Sequence, residues 1–132
     1  MLTNFDAVAV LTADDLERAK TFYTEKLGLT QQDFPAPGIV FFKAGHSTTV
    51  SVYEKKGAQR PDNTALGFIV ENIEQVVDDL KAQGVAFETY DTLQFDAETS
   101  VISAGSVKTA FFKDSEGNVI GLNQIQASIN EP

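Results

Sequence analysis

Cysteine is absent from this chain, and histidine occurs once, at His46. The first absence excludes a disulfide framework and thiolate chemistry. The second leaves His46 as the one imidazole to weigh as a base, and its place among turn residues favours an exposed, inert role. Basic residues are scarce as well, with 10 Lys and Arg against 19 Asp and Glu and a formal charge of −9. That charge repels phosphate backbones and no Lys/Arg cluster offsets it, so nucleic acid is not expected as a partner. Acidity argues mainly for solubility, and it would also suit a cationic ligand. No apolar run is long enough to cross a bilayer or to form the core of a signal peptide. No membrane association is expected, and a cytoplasmic location follows by default.

What is present is a repeat. Val40 to Glu54 (VFFKAGHSTTVSVYE) returns as Ala110 to Gln124 (AFFKDSEGNVIGLNQ). Phe41, Phe42 and Lys43 recur as Phe111, Phe112 and Lys113, a turn follows, and each copy resumes as an alternating strand. Period 2 puts Ile120, Leu122 and Gln124 on one face and Val119, Gly121 and Asn123 on the other. In the first copy Val50, Val52 and Glu54 lie opposite Thr49, Ser51 and Tyr53. The branched aliphatics suit a face covered by a helix, whereas Gly, Asn, Ser and Tyr leave volume and polar groups for a ligand. A merely solvated second face fits the same pattern. At 132 residues and 42% hydrophobic content, the chain fits one domain with a real core.

In chain order, Asn4 to Thr12 reads as a strand, with Ala7, Ala9 and Leu11 opposite Val8 and Val10. Asp14 and Glu17 have capping-box spacing, and Leu16, Ala19, Phe22, Tyr23 and Leu27 mark a helix that Gly28 stops. Gln31 to Gly38 carries Pro35 and Pro37, so any strand there is short or at an edge. Ile39 to Lys43 and Thr48 to Glu54 form a hairpin around Gly45-His46-Ser47. After the polar stretch Lys55 to Asn63 the pattern restarts. Thr64 to Val70 is a strand, and Asn72 caps a helix with the stripe Ile73, Val76, Val77 and Leu80 that Gly84 ends. Val85 to Tyr90 is a strand, 91–106 a loop without clear periodicity that is either a lid or a surface excursion, and Val107 to Lys113 with Asn118 to Gln124 the last hairpin. The aromatic pairs Phe41-Phe42 and Phe111-Phe112 read as one ring to each sheet face.

Two βαβββ halves with Asp15-Leu16-Glu17-Arg18-Ala19, Phe22-Tyr23 and a closing Asp114-x-x-Gly117-Asn118 resemble the vicinal oxygen chelate superfamily of glyoxalase I, bleomycin-resistance proteins and extradiol dioxygenases. The resemblance covers nearly the whole chain. It implies an α+β fold of two tandem βαβββ modules forming a curved mixed sheet with a cleft and helices on its outer face. The expected division is module 1 over 1–54, a linker over 55–63, module 2 over 64–126 and a tail over 127–132. Metal-dependent members carry four ligands on the inner face. Counting from Asp15, Asn72, Asp114 and the repeat places those positions at Val8, Ala65, Gly121 and Ser51, of which three have no ligating side chain and one is a poor ligand. The resemblance therefore implies no metal and no cofactor here.

The four positions fall on the face free of helices. The expected ligand pocket is Val8, Val10, Ser51, Tyr53, Ala65, Gly67, Ile69, Gly121 and Asn123, with Ser51, Tyr53 and Asn123 to orient a small molecule. The expected function is a metal-free binding protein of the bleomycin-resistance kind. The alternative is a glyoxalase-like lyase or isomerase, or a dioxygenase, acting on a small carbonyl or aromatic substrate. In a metal-free catalyst Tyr53 and Asn123 would donate to an oxyanion, but no general base lies on the pocket face. No serine shows the partners of a nucleophilic triad, and Glu54 reads as solvated. Exposed sheet edges and the family's habit of pairing modules imply a homodimer.

Overall fold

The computed structural model describes residues 1–33, 36–90 and 93–125. The 127–132 tail lies outside them. The described residues form an α+β structure with two mixed sheets, each partly covered by one helix. The chain divides into two compact units, Met1–Arg60 with Asp114–Glu116, and Pro61–Lys113 with Gly117–Pro132. The polypeptide thus leaves the second unit after Lys113, contributes three residues to the first and returns at Gly117.

In the first unit, β1 (Ala9–Ala13), β2 (Thr30–Gln32), β3 (Ile39–Ala44) and β4 (Thr48–Glu54) pair in the order β1-β4-β3-β2, with β1 and β4 parallel and the other pairs antiparallel. Strand alternation sends Leu11, Ala13, Val40, Phe42, Val50 and Val52 to the buried face. Helix α1 (Leu16–Thr21), continuing into a π-helical turn over Phe22–Lys26, belongs with this face through Ala19 and Tyr23, whose ring stacks on Phe42 at 5.3 Å between centroids. Gly28, at φ +73°, takes the left-handed stop that a side chain would resist.

The second unit repeats the plan. Strands β5 (Leu66–Ile69), β9 (Val119–Ile125), β8 (Val107–Lys113) and β6 (Phe87–Glu88) lie in that order, with β7 (Ile102–Ala104) also paired to β8. Leu66, Ala110, Phe112, Ile120 and Leu122 fill the core with Ile73 and Val77 of α2 (Ile73–Ala82). Asn72 caps α2, accepting from the Gln75 amide, and the Gln124 side chain accepts from the Ile73 amide, so two of the helix's free donors are satisfied.

Four local expectations are corrected. The first strand starts at Ala9, not Asn4, because β1 has a partner only where β4 runs beside it, from Val50 onward, and Leu2–Asn4 form a short 3-10 turn. The cap of α1 is Asp15, which accepts from the Arg18 amide, because the Asp14 carboxylate is already taken by the Gly57 amide and Arg60. Of Val85 to Tyr90 only Phe87–Glu88 is strand, since the Val85 amide is bonded to Leu80 at the end of α2. The 91–106 stretch contains β7, which is too short at three residues for alternation to show in sequence.

Candidate functional site

Both sheets leave one face without a helix, and the faces differ in what they offer. On the first sheet, Val10 is 59% exposed and Tyr53 is half-buried. Val8, 44% exposed, precedes the strand. Ser51 belongs to the same face by parity but is 1% exposed, and its hydroxyl donates to the Ala9 carbonyl at 3.0 Å. Its proton is committed to joining β4 to β1, so Ser51 is scaffold rather than an open ligand donor. This could not be read from alternation, which gives the face but not the depth.

On the second sheet the face is built from six strand positions joined by four pairings in register. Gly67 lies beside Gly121, Gly121 pairs with Phe111, Ile69 lies beside Asn123, and Asn123 pairs with Thr109. Gly67 is exposed, Ile69 is 62% exposed, Gly121 is buried and Ala65, just before β5, is exposed. The Asn123 carboxamide lies over the glycines, since a Cβ on Gly67 would sit 3.5 Å from its nitrogen and one on Gly121 3.7 Å away. Its oxygen accepts from the Thr109 hydroxyl at 3.0 Å, which fixes the amide and leaves the NH2 to donate. A Cβ on Gly121 would also come within 3.3 Å of Thr64. The two glycines thus keep the floor of this face low.

Beside that floor stands an aromatic wall that sequence reasoning missed. Phe111 has Tyr90 at 5.9 Å and Phe95 at 6.4 Å, edge to face, and Tyr90 and Phe95 are 6.0 Å apart. All three rings are half-buried. The pairing of Phe111 with one face and Phe112 with the other was legible. The return of Phe95 onto Phe111 was not, because Phe95 sits in an aperiodic stretch.

The donor set does not fit a metal ion. Of the matched ligand positions, Val8, Ala65 and Gly121 carry no ligating group and the Ser51 hydroxyl is held by Ala9. Among the described residues no cluster of three His, Cys, Asp or Glu is placed to hold one. His46 is exposed in the β3–β4 turn, and Glu54 is exposed as expected.

The most perturbed titratable groups lie elsewhere, in a buried network of the first unit. Tyr23 donates to Asp114 Oδ2 at 2.5 Å, and the Glu116 amide donates to Asp114 Oδ1 at 2.8 Å. Burial, then the neighbouring Asp114 carboxylate, pushes the Tyr23 phenol far above its ordinary range. Glu116 accepts from the Asp14 and Asp15 amides at 3.0 and 2.9 Å and from Arg18 Nε and Nη2 at 2.7 and 3.0 Å. Burial raises its pKa, but Arg18, the Asp15 amide and the Ser115 hydroxyl together outweigh burial and bring it down to about 2. Perturbed groups often mark active sites. Here the partners are protein groups that saturate the carboxylates, so the network is a fastening.

The sequence matches the family model described as the glyoxalase/bleomycin resistance protein/dioxygenase superfamily over residues 5–122. No curated protein matches the chain. Among solved structures, a glyoxalase family protein from Enterococcus faecalis is 26% identical, covers 93% of this chain and 99% of its own, and gives a TM-score of 0.66. A glyoxalase/bleomycin resistance protein/dioxygenase from Nocardioides is 18% identical, with coverage of 97% and 90% and a TM-score of 0.65. The fosfomycin resistance protein FosX from Listeria monocytogenes is 16% identical, with coverage of 95% and 94% and a TM-score of 0.68. At these identities the latter two speak for the fold alone. No helix among the described residues is long and apolar enough to cross a membrane.

Proposed function

Because the chain belongs to the glyoxalase/bleomycin resistance protein/dioxygenase superfamily, we propose that it binds a small organic molecule without a metal ion, on the uncovered face of its second sheet. The observation that carries this reading is the juxtaposition at Asn123. A positioned amide donor lies over two glycines, and an aromatic ring stands on the strand paired to that of Gly121. Small floor, apolar wall and one oriented polar group are the ordinary ingredients of a ligand site. Phe111, Tyr90 and Phe95 would cover a planar or apolar part of the ligand, and Asn123 Nδ2 would donate to an oxygen on it. Ile69 flanks the amide. Val10 and Tyr53 belong to the first sheet's own uncovered face.

The chemistry available at Asn123 is hydrogen-bond donation. It orients a carbonyl or phenolic oxygen, and no carboxylate or imidazole of the described face stands ready to take a proton. Binding rather than turnover is therefore the expected activity. The test is elemental analysis of protein purified without chelator, followed by a nuclear magnetic resonance titration with a panel of small aromatic carbonyl compounds. Shifts centred on Gly67, Phe111, Gly121 and Asn123 are expected, and Asn123→Ala should weaken binding about tenfold, the worth of one good hydrogen bond. Stoichiometric tight metal binding, or ligand shifts unaffected by Asn123→Ala and Phe111→Ala, would overturn the reading. Turnover of a probe would favour the enzymatic alternative.

A further inference from the structure

The helix-covered face of the second sheet carries a separate cavity of about 190 Å³ lined by Glu74, Asp96, Thr99, Val101, Ser103 and Lys108. Lys108 points to this face by parity, since Ala110 and Phe112 of the same strand are core residues. Its ammonium is 2.9 Å from Glu74 Oε1. The other oxygen, Glu74 Oε2, is withdrawn from solvent and receives no hydrogen bond from any described residue. The side chain as a whole is 38% exposed, so a rotation that turns this oxygen into the cavity gives it a donor that the resting fold does not supply.

The opposite wall is built rather than incidental. The Asp96 carboxylate accepts from the Glu98 and Thr99 amides at 2.9 and 3.0 Å, and the Asp96 and Ser100 backbones close the loop through bonds to Val101 and Asp96. Lys81 of α2 reaches the Glu98 carbonyl at 3.0 Å and ties the loop to the helix. Buried Ser100 holds φ at +60°, an unfavourable conformation for a residue with a side chain, which the closed loop imposes. Ser103, exposed on β7, brings a hydroxyl to the rim.

Two carboxylates against one ammonium leave the cavity an excess of negative charge, in a chain that is itself acidic. We infer that this cavity binds a small molecule bearing a protonated amine, with the amine donating to the Glu74 carboxylate and the remainder of the ligand lying between Ser103 and the 96–101 loop. The site is independent of the Asn123 face. It also predicts opposite effects for two neighbours. Glu74 is the acceptor, whereas Lys108 competes with the ligand for the same carboxylate.

Ethanolamine titrated into the full-length protein at neutral pH, followed by amide chemical shifts, is the direct test. Saturable shifts confined to residues 73–75, 96–103 and 107–109 are expected. Glu74→Gln should weaken binding at least about tenfold, and Lys108→Met should tighten it several-fold. Both side chains are about one-third exposed, so both variants keep the fold, which thermal unfolding checks. Absence of saturable shifts, equal response to the neutral diol ethylene glycol, or weaker binding in Lys108→Met would each overturn the inference. A purely structural Glu74–Lys108 pair would give equal loss of stability in both variants and no change in amine affinity.

Discussion

The two copies of the Phe-Phe-Lys hairpin end in turns that have gone separate ways. After Lys43 the chain runs through Gly45, His46 and Ser47, all exposed. After Lys113 it runs through Asp114, Ser115 and Glu116, and both carboxylates are buried with protein donors on each. The strands before and after these turns keep the same pairing and the same faces. The comparison teaches that strand alternation is what the two copies share. The turns, which alternation does not constrain, were free to become either inert or a fastening.

The sharpest way to break that contrast is Glu116→Ala. It strips the Arg18 guanidinium, itself 55% exposed, and two backbone amides of their acceptor, and each amide left unsatisfied costs about 1–3 kcal/mol. Chemical denaturation should read that loss, and a change below about 1 kcal/mol would sink the fastening role.

Acid gives a related but smaller effect. Glu116 has its folded pKa depressed from 4.5 to about 2. Its contribution is therefore present in full above the unfolded value and is lost as pH falls through the folded one. On the order of 3 kcal/mol should disappear between roughly pH 4.5 and pH 2. Glu116→Gln should flatten the stability profile in that window, and an unchanged slope would place the acid sensitivity elsewhere.

Tyr23→Phe keeps the stack on Phe42 and removes only the hydroxyl, leaving Asp114 Oδ2 without that donor. A cost of about 1–3 kcal/mol is expected. In the other copy His46→Ala should move stability by less than about 0.5 kcal/mol. A large effect there would show that the exposed turn has a role after all and would erase the distinction between the copies.

Much of the fold was legible because strand alternation reports burial directly. Val50 and Val52, Ile120 and Leu122 went to the helix side for the reason given by their spacing. Positions on the candidate ligand face were legible to the same extent, as Gly67, Gly121 and Asn123 show. Depth was not, and Ser51 proved to be a cross-strand tie. Contacts between distant segments were illegible for a different reason. Phe95 against Phe111, and Glu116 against Asp14, Asp15 and Arg18, involve no shared period and no local motif. Asp114-x-x-Gly117-Asn118 is legible as a signature. What Glu116 within it holds is set by Arg18, which the fold brings beside it from 98 residues away.

The three residues that the last hairpin lends to the first unit also set an order of events during synthesis. When a ribosome has finished Met1–Arg60, every strand of the first sheet exists, yet the carboxylate that receives the amides at the start of α1 is still about a hundred residues from them in sequence. Contacts of such separation form late, because the intervening chain must first be made and drawn in. The nascent first copy therefore waits, its Arg18 and Tyr23 without Glu116 and Asp114, until the second copy has emerged almost to its end. A chain built on one plan used twice has made its earlier half the last to be completed.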